Sequence, residues 1–212
     1  MPTSPTGRSV KIDQDERGGW SSDRPRRDGA PPRPADLSVR CRVLRPAELL
    51  RYSPGSLVMI VAPVAAEGER FAERLIEERG ALLSPGKVRG LLAGRVAEDE
   101  AEARAAELLH AAALKRIEAK ESVVVVTDEL GAEERERYVR PAAGQKRPCH
   151  IVLVEPGRDH VDDDDRPALN KLRTALDAGD LGAEGFNTAL RLGPGSVGEV
   201  KRIVFRPPPR NE

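Results

Sequence analysis

The sequence predicts an α/β protein, a doubly wound and mostly parallel sheet with helices on both faces. Two observations carry that prediction. Runs 56–61, 122–126 and 150–154 are, after an opening Ser or His, continuously apolar rather than alternating, as strands covered on both faces must be. Helical patterns of ten to twenty residues separate them, and strands alternating with helices imply parallel pairing through crossovers.

In chain order, 56–61 (Ser-Leu-Val-Met-Ile-Val) is the first buried strand. After it, Phe71, Ala72, Leu75, Ile76 and Arg79 fall on one face of a helix. A short strand is expected at 81–83 and a long Ala-rich helix over 97–120. The four consecutive valines of 123–126 make the next strand, followed by a helix near 131–143 and the strand His150-Ile-Val-Leu-Val154. A helix over 167–178 and strands at 187–192 and 202–205 complete the pattern. Pro207 to Pro209 forbid both helix and sheet, so the domain closes near Phe205 and leaves 207–212 as a disordered end.

The start of the domain is set by composition. Residues 1–37 hold sixteen Pro, Gly, Ser or Thr against seven scattered apolar residues, too few to offset the entropy of ordering. The segment is expected to be a disordered tail, with the folded domain over 38–206. Trp20 could anchor a partner, though a lone aromatic in a polar tail is more often incidental.

The 35 basic and 35 acidic residues cancel, so bulk charge favours neither nucleic acid nor an anionic membrane. The longest apolar run, 57–66, contains Pro63 and is far short of the ~20 residues of a spanning helix. Cys41 and Cys149 stand alone, which suits a reducing compartment and excludes a disulfide or zinc framework. A cytoplasmic protein with no membrane partner is the expectation.

In a doubly wound sheet the ligand sits at the carboxyl ends of the strands, so the turn after the first buried strand is the place to look. A phosphate-binding turn would read GxxxxGK[ST], with glycines to let backbone N–H groups approach, a lysine on the β/γ oxygens and a hydroxyl on magnesium. Here it reads Ala62-Pro-Val-Ala-Ala-Glu-Gly-Glu-Arg-Phe71. Ala62 and Glu67 replace the glycines, Gly68 the lysine, and Glu69 the hydroxyl residue. None of the seven lysines precedes Ser or Thr, so no intact motif lies elsewhere. A carboxylate about 5 Å from a phosphate charge opposes it by roughly 3 kcal/mol at an effective dielectric near 20. Arg70 and the helix dipole would offset only part of that.

The flanking segments are more specific. They are Leu82-Leu-Ser-Pro-Gly-Lys-Val-Arg-Gly-Leu91, the acidic stretch 97–102, Leu109-His110, Lys115-Arg116, the valines 123–126, Glu184-Gly-Phe186 and Glu199-Val-Lys-Arg-Ile-Val-Phe205. In order and spacing the region 54–206 resembles the kinase domain of bacterial polynucleotide kinases, the AAA-type P-loop kinases of RNA repair. The resemblance implies an Asp after the second strand that activates a 5′-hydroxyl, and that position is Gly86 here. Arg89, on the phosphoacceptor side, is kept. The acidic residue closing the third strand falls at Val126, with Asp128 and Glu129 just beyond. A shortened lid between Pro156 and Gly185 would offer Arg158, Arg166 and Arg173.

Phosphoryl transfer relies on positioning and charge neutralisation, so it needs the lysine, the magnesium hydroxyl and the base together. All three are missing, and the resemblance therefore points to a pseudokinase with no cofactor, acting through an unidentified protein partner. Its vestigial ligand site would comprise Gly68, Arg70, Arg89, Arg158 and Arg166. The alternative is an enzyme that binds ATP and magnesium with Arg70 and Arg89 in place of the lysine. A further possibility is non-catalytic binding of a nucleic-acid end through Arg89 and the lid.

Other constellations have plainer readings. Asp162 to Asp165, after His160, could suggest a metal, but consecutive carboxylates diverge and no calcium-type loop surrounds them. His110 and His150 read as hydrogen-bonded core histidines before they read as acid–base groups. Arg89 could equally be a salt-bridge partner of the 97–102 carboxylates.

Overall fold

A computed structural model describes residues 40–155, 157 and 161–207. The tail expected over 1–37, with Trp20, lies outside the described residues, as do Arg158, His160 and 208–212.

The protein is α/β, built on a six-stranded sheet in which every pairing is parallel. Its strands are β1 (Arg42–Leu44), β3 (Leu57–Val61), β4 (Leu82–Leu83), β5 (Val123–Thr127), β6 (Cys149–Val154) and β7 (Thr188–Leu192). Their order across the sheet is β1-β7-β6-β3-β5-β4. A separate parallel pair joins β2 (Leu49–Tyr52) to β8 (Arg202–Phe205). The helices are α1 (Ala65–Leu75), α2 (Pro85–Leu92), α3 (Glu98–Glu118), α4 (Ala132–Gly144) and α5 (Arg166–Ala178).

The continuous apolar runs form the centre. Every residue of β3, β5 and β6 is buried, because both faces of the sheet are covered. Alternation of side chains divides the core in two. Leu57, Met59 and Val61 point to the face covered by α3, α4 and α5, where Leu109, Ile117, Tyr138, Leu169 and Leu176 pack. Val58 and Ile60 point to the opposite face, where Phe71, Ala72 and Leu75 of α1 meet Leu50, Tyr52 and Ile203 of the small sheet. The second face is thus closed partly by α1 and partly by β2 and β8. Each of these large aliphatic side chains contributes roughly 1.5–3 kcal/mol when fully buried.

Three elements were not anticipated in sequence. β1 and β2 are three and four residues long, and β1 is an edge strand with Val43 exposed, so neither carries a buried run. α2 buries none of its residues and has no apolar stripe to announce it. Its start is nonetheless built from familiar parts: Pro85 opens the helix, and the Ser84 hydroxyl accepts from the Lys87 N–H at 3.3 Å.

α3 buries Ala105, Leu109, Ala113 and Ile117, one residue every turn, and begins acidic and ends basic as the macrodipole favours. His110 lies at the edge of that stripe. Pro141 inside α4 has no N–H to give the carbonyl four residues before it. That carbonyl belongs to Arg137, and the His110 Nε2 lies 3.3 Å from it. A carbonyl can only accept, so this contact selects the Nε2–H tautomer and gives His110 a structural task.

α5 ends at Gly179, whose φ of 75° is the left-handed value that closes helices. The Gly179 carbonyl accepts from the Cys41 N–H at 2.9 Å, and a Cβ here would meet the Cys41 carbonyl oxygen at 2.9 Å. A glycine at this position therefore both ends α5 and lets the chain leading into β1 dock.

Candidate functional site

The sheet places its ligand crevice where the helices leaving neighbouring strands go to opposite faces. That condition is met on both sides of β3, whose α1 packs on one face while α5, leaving β6, and α4, leaving β5, pack on the other. The turn at the carboxyl end of β3 is Ala62-Pro63-Val64, only three residues, because α1 already begins at Ala65. The Val64 carbonyl accepts from Glu67 N–H at 2.9 Å and from Gly68 N–H at 3.2 Å. Those amides are spent inside the helix, and the chain forms no extended loop of converging N–H groups here.

Gly68 is buried and faces the sheet. A Cβ on it would stand 2.9 Å from the Ala62 Cβ and 3.1 Å from Val126 Cγ1. A lysine at this position would be driven between α1 and β5 rather than toward the crevice. Gly68→Ala is expected to lower stability by about 1–3 kcal/mol through overpacking, read as a shifted urea midpoint with unchanged slope.

Glu69 turns the other way. Its Oε1 accepts a hydrogen bond of 2.6 Å from the backbone N–H of Gly86, in the first turn of α2. A Cβ on Gly86 would run into the same carboxylate. The two positions, read in sequence as separate departures from a kinase pattern, are therefore one contact: an acid on α1 satisfies the start of α2, and only glycine leaves it room.

Arg89, near the end of α2, places its Nη1 2.9 Å from both carboxylate oxygens of Glu102 on α3. Both side chains are substantially exposed, so the pair adds little stability. Glu102 lines a cavity of about 220 Å³ at the carboxyl end of β5, with Pro85, Leu109, Asp128, Glu134 and Tyr138. Asp128 and Glu129 follow the strand in a turn fixed by the Thr127 hydroxyl, which accepts from the Glu129 N–H at 3.1 Å.

Arg70 belongs to a different opening. It lines a cleft of about 540 Å³ at the switch point, together with Glu67, Phe71 and Arg74 of α1, Val154 and Glu155 at the end of β6, and Pro194 and Val197 beyond β7. Glu155 is the most constrained group there. Its Oε1 accepts from the Arg173 Nε and the Arg191 Nε, each at 2.7 Å. Arg191 also donates to Asp177 at 2.9 Å. Burial pushes the Glu155 carboxyl up, but the hydrogen bonds and charges of Arg191 and Arg173 outweigh it and hold the group below its ordinary value. It is a fixed carboxylate, saturated by two guanidinium groups.

The expected site residues are thus dispersed. Arg70 lines the switch-point cleft, Gly68 packs under α1, and Arg89 is paired beside the second cavity. Arg166 pairs with Asp163 at 3.0 Å at the start of α5 and lines neither opening. Among the described residues, Asp162 to Asp165 and the other acidic, histidine and cysteine side chains form no metal-binding group. Sequence reasoning missed Glu155, Arg191 and Arg74. The one available signal was an acidic residue directly after a six-residue buried strand, at the end where ligands gather.

Comparison with family models and with curated proteins finds no match to this chain. Fold and site together define a parallel α/β protein with a charged cleft at its switch point.

Proposed function

We propose that the chain is a non-catalytic relative of polynucleotide kinases that acts by binding a partner protein rather than by transferring phosphate. The observation that carries the reading is the 2.6 Å bond from Gly86 N–H to Glu69. It joins the position of the magnesium hydroxyl to the position of the activating Asp, and occupies both with one carboxylate–amide contact. The immediate start of α1 at Ala65 adds to this, since a phosphate needs free N–H groups in a loop of its own. The enzyme alternative needs Arg70 and Arg89 to converge on one phosphate chain, but Arg70 lines the switch-point cleft while Arg89 is paired with Glu102 in the wall of the other cavity.

Calorimetric titration of the full chain with ATP–magnesium, alongside a 5′-hydroxyl oligonucleotide, tests the reading. The expected result is no saturable heat with ATP up to millimolar concentration. Stoichiometric micromolar binding would overturn it and would return Arg70 and Arg89 to the centre of the problem.

A further inference from the structure

We propose that the switch-point cleft is a binding site for a small organic monoanion, a single carboxylate carried on an apolar body. Arg70 and Arg74 stand one turn apart on α1, both exposed, both lining this cleft, and neither forms an ion pair among the described residues. Like charges at that spacing repel, so the pair is relieved by an anion that both can reach. A guanidinium offers the planar fork that a carboxylate matches with two parallel bonds.

The nearby acids explain why the arginines remain available and what charge the ligand carries. Glu155 forms part of the wall, but Arg173 and Arg191 already hold its carboxylate. Glu67 lines the same cleft one turn before Arg70 and opposes any second negative charge on the ligand. Among the described residues, the rest of the wall is Gly157 and four apolar side chains. Phe71 and Val154 are buried beneath the opening, and Pro194 and Val197 face them. Such a wall favours a hydrocarbon or aromatic body over a sugar or a phosphate chain.

This inference does not rest on the kinase resemblance. Its test is a titration of the ¹⁵N-labelled full chain with benzoate, followed by amide shifts. Saturable changes at Arg70, Phe71, Arg74, Gly193 and 195–197 are expected, with a Kd of about 1 mM or tighter for so small a probe. Arg70→Gln and Arg74→Gln are each expected to weaken binding about tenfold, and Glu67→Gln to tighten it a few-fold. Both arginines are exposed, so the variants fold. Equal binding of benzyl alcohol, unchanged affinity in both arginine variants, or shifts confined to other elements overturns the inference. Failure with benzoate while ATP–magnesium also fails to bind removes this site and leaves the proposed function in place.

Discussion

Arg135→Ala is expected to lower the stability of the protein by about 3–5 kcal/mol, the cost of breaking a buried ion pair from one side. Arg135 is only 4% exposed and is fully engaged. Its Nε and Nη2 each donate to Glu184 at 2.7 Å, and its Nη1 donates to the carbonyls of Leu130 and Gly131 at 2.7 and 3.1 Å. It holds the turn after β5 to the turn before β7. Alanine leaves Glu184 charged and largely buried, strands two carbonyls, and opens a cavity. The thermal midpoint should fall by roughly 10 °C or more for a domain of this size. Arg135→Met with Glu184→Leu should recover much of the loss, since it removes the stranded charge. A single alanine variant within about 1 kcal/mol of the parent would show that this pair does not hold the two turns together.

Acid should begin to destabilise the protein below pH 6.5, before most carboxylates titrate, through His150. The ring is buried, its Nδ1 lies 2.8 Å from the Thr188 hydroxyl oxygen, and its Nε2 has no hydrogen-bond partner among the described residues. Burial pushes its pKa down from 6.5 to about 4. The folded state therefore favours the neutral ring, and the unfolded chain binds the proton more readily. Stability from this source is complete above pH 6.5, declines as the pH falls, and is lost once it passes about 4. The full effect is about 3 kcal/mol, taking 1.36 kcal/mol per pH unit. Urea midpoints at intervals between pH 7 and 4 should slope for the parent and run nearly level for His150→Phe. Parallel profiles for the two proteins would remove His150 as the cause.

The parts of the fold legible in sequence are those whose signal is local. β3, β5 and β6 announce themselves because burial on both faces demands an unbroken apolar run, and α5 because Leu169, Leu172 and Leu176 recur at helical spacing. β1, β2 and α2 are short or surface elements held by partners distant in the chain, so nothing within them reports their state. The same division applies to the site. The missing lysine after β3 was readable from one segment. Glu155 was not, because its partners Arg173 and Arg191 stand 18 and 36 residues further on and meet it only when α5 and β7 pack beside β6. The turn after β3 is shorter than a phosphate-binding motif requires, because the alanines at 65 and 66 already belong to α1.

The pairing of the outer strands bears on how the protein is made. Among the described strands, β1 pairs only with β7, and β2 only with β8. Each early strand thus waits for a partner synthesised about 150 residues later, which at ribosomal speeds means about 10–30 s. Through that interval Leu50 and Tyr52, destined for the interior, have α1 and β3 beside them but lack β8, the strand that completes their cover. The nascent chain is open to capture by chaperones or by other chains until Phe205 has emerged, and its completion is a late, long-range event rather than a progressive one.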